Sequence, residues 1–190
     1  FEQLVDQRTA PQGIAPGAGR DALRRGTLVH KLLERLPQVA ADEREEAGWQ
    51  WLARNAADLP EPSRQAMLES AMAVLGHPEW TELFGPASLA EVPVAAVVGG
   101  QVVAGTIDRL VVEPERVRLV DYKTARRPPE RLEQVPRGVL RQMAAYAAAL
   151  EVAFPGRAVE VALLYTTVPR LIAVPAEVLA AHKPDFSPAQ

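Results

Sequence analysis

Three charged side chains on two apolar runs carry the chemistry of this sequence. Asp108 lies in Gly105-Thr106-Ile107-Asp108-Arg109-Leu110, and Asp121 and Lys123 lie in Leu119-Val120-Asp121-Tyr122-Lys123-Thr124. Side chains two apart on a strand share a face, so Asp121 and Lys123 point together and Tyr122 points away. A short turn between the runs would pair them and bring Asp108 towards Asp121. Two carboxylates with waters and phosphate oxygens suit Mg²⁺. Such an ion polarises a phosphoryl group and acidifies a water, and a lysine beside it faces the developing negative charge. The chemistry would be hydrolysis of a phosphodiester. The same spacing also fits an ordinary Asp–Lys pair on a solvated strand.

Other residues bear on that choice. Glu91, on the run before, is either a further ligand or base, or a strand-edge glutamate. His30 stands among leucines on a helix, as a ligand or as a structural histidine; Gly26, one turn earlier, permits close approach of another backbone. Gln142 and Tyr146 share a helix face and offer an amide and a phenol to a nucleic acid, or half-bury a tyrosine. Arg126, Arg127, Arg131, Arg137 and Arg141 form either a local basic patch for phosphates or a solvated loop.

The elements that must position these residues follow from periodicity and punctuation. Residues 1–20, rich in Pro, Gly and Ala, read as a linker, leaving 21–190 as one domain. Asp21 is the expected N-cap of a helix over 22–36, where Leu28, Val29, Leu32, Leu33 and Leu36 make an apolar face. A helical insertion covers about 42–84, with helices at 42–57 and 63–75 and a short one at 78–84. Strands are expected at 89–98, 101–112 and 117–123, with Gly99-Gly100 as a hairpin turn. A helix at 138–152, strands at 158–166 and 171–174, and a terminal helix from about Pro175 complete the order. The first three strands would be antiparallel and the strand after the helix parallel to the one before it, giving an α/β (α+β) fold with a mixed sheet flanked by helices.

Composition narrows the possibilities. The 190 residues are 48% hydrophobic with net charge −3 and no cysteine. Disulfides, thiolate zinc sites and cysteine-ligated iron–sulfur clusters are excluded. The balance is not that of a broadly basic DNA binder, so contact with nucleic acid must be local. No run is long enough for a membrane span, and a cytoplasmic location is expected. No Gly-x-x-x-x-Gly-Lys-[Ser/Thr] phosphate loop is present.

The ordered set Gly26-Thr27-Leu28-Val29-His30, Gly105-Thr106-Ile107-Asp108, Asp121-Tyr122-Lys123 and Gln142-Met143-Ala144-Ala145-Tyr146 resembles the RecB-type nucleases of the PD-(D/E)XK superfamily. Within them it is most similar to the C-terminal nuclease domains of AddA-type helicase–nuclease subunits, over about residues 20–175. The resemblance implies a restriction-endonuclease-like fold. It implies an Mg²⁺- or Mn²⁺-dependent exonuclease acting on single-stranded DNA unwound by a linked helicase, in double-strand-break repair by recombination. His30, Asp108, Asp121 and the Tyr122 carbonyl would hold the metal, and Lys123 would be the catalytic lysine, with Glu91 as a further acidic group. Gln142 and Tyr146, with Arg126, Arg127 and Arg141, would bind substrate. The partners implied are DNA, an AddB-type subunit and a helicase on the same polypeptide. The cysteine-clamped iron–sulfur cluster of some relatives is excluded. A catalytically silent DNA-binding module on the same fold and a stand-alone phage or CRISPR-type exonuclease are the alternatives.

Overall fold

The computed structural model describes residues 16–183. The first helix, α1, spans Pro16–Arg35, so it begins before the expected cap and Asp21 lies inside it. Proline is tolerated in a first helical turn, where its missing N–H has no partner to lose; the Pro/Gly content of this stretch had suggested a linker. The rest of the expected linker lies outside the described residues. α2 covers Arg44–Asn55 and α3 covers Glu61–Leu75, and a 3₁₀ turn follows at Pro78–Phe84.

Five strands come next: β1 at Ser88–Val98, β2 at Gln101–Val112, β3 at Arg116–Lys123, β4 at Ala158–Tyr165 and β5 at Arg170–Val174. They form one sheet in the order β1-β2-β3-β4-β5. Only β3 and β4 are parallel. The helix α4, Arg137–Ala153, makes the crossover that such a pair requires. The β1–β2 turn places Gly99 and Gly100 at φ 55° and 81°, the left-handed pair a two-residue hairpin needs. α5, Ala176–Ala181, follows Pro175 as its N-cap.

Each face of the sheet buries its own core. On one side α4 packs Leu140, Met143, Ala147 and Leu150 against Ile107, Leu110, Leu119 and Leu163. On the other, Leu28, Leu32 and Leu36 of α1 join Leu52, Met67, Leu68 and Trp80 over Val111, Val120, Tyr122 and Leu164. β3, central and covered on both faces, therefore has little polar surface, and its Asp121 is buried. Among the described residues no helix is long and apolar enough to cross a membrane.

Burial raises the pKa of all three tyrosines. Tyr122 and Tyr165 are pushed up to about 12, and Tyr146 is also raised. Folded protein is thus expected to show little tyrosinate ultraviolet absorbance at pH 10, the ordinary midpoint. Above pH 10 the unfolded chain releases these protons while the folded chain keeps them. Stability therefore falls as pH rises from 10 towards about 12. A titration with the ordinary tyrosine midpoint in the native protein contradicts this packing.

Candidate active site

The β2–β3 ladder ends where the chemistry begins. Its last bonded register pair is Arg109↔Val120. One step further, the same register sets Asp108 against Asp121, and no backbone pairing continues there. Instead Asp108 Oδ2 accepts the backbone N–H of Tyr122 at 2.7 Å. A carboxylate has taken the place of a ladder carbonyl. The N–H and C=O of a strand residue lie along the same strand edge, so the Tyr122 carbonyl faces the same opening.

β2 is irregular at this point. Val103 and Ile107 pack in the α4-side core, and so does Leu110, whereas Val111 packs in the α1-side core. The period-2 alternation slips by one around Asp108, with no residue inserted, since the β1–β2 pairing keeps one register on both sides of it. In the β1–β2 register the residue facing Asp108 is Glu91, between the pairs Ala90↔Arg109 and Val92↔Ile107. Glu91 has φ 51°, the sole non-glycine with positive φ among the described residues. A glutamate in that region costs about 1–2 kcal/mol relative to extended backbone.

Cationic groups approach the two carboxylates from opposite sides. His30, on α1, places Nδ1 3.2 Å from Asp108 Oδ1. Lys123 places Nζ 2.7 Å from Asp121 Oδ2, without the angle of a hydrogen bond, so Asp121 Oδ2 is buried with no hydrogen-bond donor. Burial drives the Asp108 carboxyl up, but the His30 hydrogen bond and charge, the Tyr122 N–H and Lys123 outweigh it, and the net shift is downward. For Asp121, burial dominates, the nearby Asp108 adds to it, and Lys123 does not compensate, so its carboxyl is raised. His30 is lowered by burial but raised further by Asp108, Asp121 and Glu91. Burial, more than neighbouring negative charge, thus raises Asp121.

The chemistry of the donor set is the test of whether a divalent cation suits these residues. Asp121 Oδ2 lacks a donor, Asp108 keeps one lone pair on each oxygen, and the remaining donors are an imidazole nitrogen and a carbonyl. This hard, oxygen-rich set is what Mg²⁺ or Mn²⁺ takes. Among the described residues no three His, Cys, Asp or Glu side chains are gathered as a ready-made cation cluster; His30 is engaged with Asp108, and Lys123 with Asp121. Glu91 stands apart from both pairs, with its carboxylate 3.9 Å from Lys31 Nζ, while Lys31 itself bonds Glu34 at 2.6 Å.

Tyr146 enters from α4 across β2 at Gly105. A β-carbon on Gly105 would collide with the Tyr146 hydroxyl and lie 2.8 Å from its Cε1 and Cζ. Gly105 therefore exists to let this ring lie flat over the strand. Gln142 Nε2 reaches towards the Tyr146 hydroxyl at 3.5 Å, the outer limit of a hydrogen bond. The charges of Asp121, Asp108 and Lys123 act on the Tyr146 phenol, so the ring sits at the edge of the carboxylate pair.

Two supporting residues escaped the sequence reading. Arg109 is 4% exposed and has no carboxylate partner among the described residues. It donates to the Tyr122 hydroxyl at 3.0 Å and to the Leu33 carbonyl at 2.5 Å, and lies over the Phe84 ring. Held there, the Tyr122 ring meets His30 edge-on at 5.4 Å. A lone arginine inside the apolar run Ile107–Val112 was the signal available. Thr124 is the other: a β-carbon on Gly26 would lie 2.8 Å from its Oγ1, so α1 rests directly on the end of β3.

Arg126 lines a groove between α1 and α3, on the sheet face opposite α4. Arg127, Arg131, Arg137 and Arg141 are exposed, and neither Arg127 nor Arg141 bonds the carboxylates among the described residues.

Compared with known proteins, the chain matches the PD-(D/E)XK nuclease superfamily over residues 5–186. No curated protein matches it. Among solved structures it is similar to one described as the crystal structure of SSO0001. That match is 14% identical and covers 90% of this chain and 84% of that one, with a TM-score of 0.37.

Two outcomes check the local geometry. Glu91→Gly is expected to raise unfolding stability by about 1 kcal/mol, because glycine accepts this backbone conformation without strain; a loss of stability in denaturant titration refutes it. Gly105→Ala is expected to cost about 1–3 kcal/mol through overpacking, and distinctly less in a Tyr146→Ala background. Equal costs in both backgrounds of the double-mutant cycle contradict the contact.

Proposed function

The chain belongs to the PD-(D/E)XK nuclease superfamily, and on that premise we propose a metal-dependent DNA exonuclease domain with Asp108, Asp121 and Lys123 at its centre. Membership supports a nuclease hydrolysing phosphodiester bonds of a nucleic acid. The five-strand mixed sheet flanked by helices is consistent with the restriction-endonuclease-like fold. The finer reading rests on the ordered motifs. It is degradation of single-stranded DNA unwound by a linked helicase, in double-strand-break repair in the cytoplasm, with an AddB-type subunit as partner.

The observation that carries the reading is the opposition of Asp108 and Asp121 just beyond the last β2–β3 pair, with Asp121 Oδ2 buried and met only by the Lys123 ammonium. His30, Asp108, Asp121 and the Tyr122 carbonyl would hold Mg²⁺ or Mn²⁺. When bound, the ion supplies Lewis-acid polarisation of phosphoryl oxygens and acidifies water. Asp108 keeps Tyr122 in place through its backbone N–H, which fixes the direction of the Tyr122 carbonyl. Lys123 Nζ, now 2.7 Å from Asp121, would face the charge that develops on the phosphate. Glu91 would serve as an additional base or ligand, reached once its carboxylate leaves Lys31. Gln142 and Tyr146 would orient the scissile nucleotide, and Arg126, Arg127 and Arg141 would take phosphates along the strand.

Degradation of single-stranded DNA with Mg²⁺ is expected to fall by about 10²-fold or more in Asp121→Ala and in Lys123→Ala, with the circular dichroism of the fold retained. Mn²⁺ binding by calorimetry is expected to disappear in Asp108→Ala. Undiminished degradation by the two alanine variants sinks the assignment. Metal binding with no cleavage by the parent chain would identify a silent module instead.

A further inference from the structure

Arg109 ties α1, β1 and β3 to β2 through one guanidinium. Nε donates to the Tyr122 hydroxyl at 3.0 Å, Nη2 to the Leu33 carbonyl at 2.5 Å, and Nη1 to Ser88 Oγ at 3.4 Å. The side chain is buried and makes no ion pair among the described residues. A buried cation without a counter-ion carries a desolvation cost that an apolar side chain would avoid. Packing alone therefore does not account for an arginine at this position.

Its partners stand beside the residues suited to a cation. Leu33 follows His30 by three positions on α1, about one turn on along the same helix face. α1 thus meets β2 at consecutive residues. His30 Nδ1 lies 3.2 Å from Asp108 Oδ1, and the Leu33 carbonyl accepts from Arg109. The Tyr122 ring, whose hydroxyl Arg109 holds, meets His30 edge-on at 5.4 Å. The His30–Asp108 contact needs a proton between the two groups. That proton must leave if both give lone pairs to an ion. The Arg109 bonds use neither group and would persist.

We propose that Arg109 is a positioning residue of the cation site, whose fork on Leu33 and Tyr122 sets the His30 imidazole against Asp108 when Mg²⁺ or Mn²⁺ is taken up. This rests on, and deepens, the reading of His30, Asp108 and Asp121 as metal ligands. Arginine suits the task where lysine does not. A planar guanidinium serves two fixed acceptors at once, whereas an ammonium on a flexible stem is a single point charge. Loss of an outer partner that orients a ligand typically lowers metal affinity by about 10–100-fold.

Calorimetry with Mn²⁺, and the electron spin-echo modulation of the bound Mn²⁺, read the site without cleavage. The parent is expected to show modulation from an imidazole nitrogen that disappears in His30→Gln. Arg109→Lys is expected to weaken Mn²⁺ binding roughly tenfold and to lose most of the nitrogen signal. Tyr122→Phe, which keeps the backbone carbonyl and removes only the hydroxyl, should move both readings the same way by a smaller factor. Leu179→Ala, a buried position in the core on the α4 side, should lower unfolding stability and change neither reading, which separates positioning from a merely structural role. The proposal is overturned if Arg109→Lys and Tyr122→Phe bind Mn²⁺ like the parent, if they keep the full nitrogen signal, or if Leu179→Ala weakens binding as much as they do. Should Arg109→Lys fail to fold, Tyr122→Phe decides alone. Unchanged Mn²⁺ binding in both variants would leave the metal centre standing and refute the role of Arg109. A parent that binds no Mn²⁺, or shows no imidazole nitrogen, refutes the ligand set and the proposal with it.

Discussion

Two carboxylates set face to face, one buried and one half-buried, repel one another, and most of the features around them follow from making that juxtaposition tolerable. The β2–β3 register would set Asp108 opposite Asp121, yet the ladder is bonded only as far as Arg109↔Val120. Beyond that point the Tyr122 N–H turns to the Asp108 side chain. A hydrogen bond from a backbone amide to an ionised carboxylate is stronger than the ladder bond it replaces, so the pairing is redirected at little cost. His30 from one element and Lys123 from the same strand then divide the negative charge between them. The division is unequal. Asp108 has two firm partners and is held below the usual carboxylate range, whereas Asp121 is more deeply buried, has one poorly aligned partner, and is raised. Two like groups in one site driven apart in this way are a mark of functional sites, since nothing about stability asks for it.

The distortion extends to the neighbouring strand. Glu91 faces Asp108 across β1–β2 and carries the left-handed backbone, and the side-chain alternation of β2 slips in the same place. Three acidic residues from three strands would otherwise stand in a row on a regular sheet. The slip and the positive φ separate them: Glu91 reaches outward to Lys31 while Asp108 turns to His30. Local strain is thus spent on keeping charge apart. Its location beside the site, where a stability-optimised sheet would place a glycine or a neutral residue, fits a functional constraint.

How much of this was legible in the sequence depended on range. Strand and helix positions followed from alternation and from Gly99-Gly100 and Pro175, all local signals, and the parallel β3–β4 pairing followed from the intervening helix. The start of α1 was missed because Pro16, Gly17 and Gly19 look like a linker, although a proline inside a first turn breaks nothing. The convergence of Asp108 with Asp121 was readable because register over a short turn is almost a local property. Four features were not readable. The collision that reserves Gly105 for Tyr146 joins residues far apart in the chain. The left-handed Glu91 is invisible in a residue type that seldom adopts it. The position of Arg126 depends on how α3 packs on α1. The buried Arg109 could be suspected from its apolar neighbours, but its partners on α1 and β3 could not.

Arg109 also accounts for the denser bracing on one side of the site. A buried guanidinium with no carboxylate retains its place through hydrogen bonds and ring contact alone, here the Tyr122 hydroxyl, the Leu33 carbonyl and the Phe84 face. The Leu33 carbonyl belongs to the last turn of α1, the negative end of the helix dipole, so the cation is favoured there. Tyr122 is then fixed at both ends, by Arg109 at its hydroxyl and by Asp108 at its amide, and its ring fixes His30. The α1 side of the carboxylate pair is therefore a braced unit linking helix, strand and imidazole. Nothing comparable braces Lys123 or Gln142: the lysine meets Asp121 at a poor angle, and the amide reaches Tyr146 only at the limit of bonding. On the proposed reading, a cation would be held by the braced donors on the α1 side, and a polymer would pass the side chains on the α4 side, which have fewer partners to exchange.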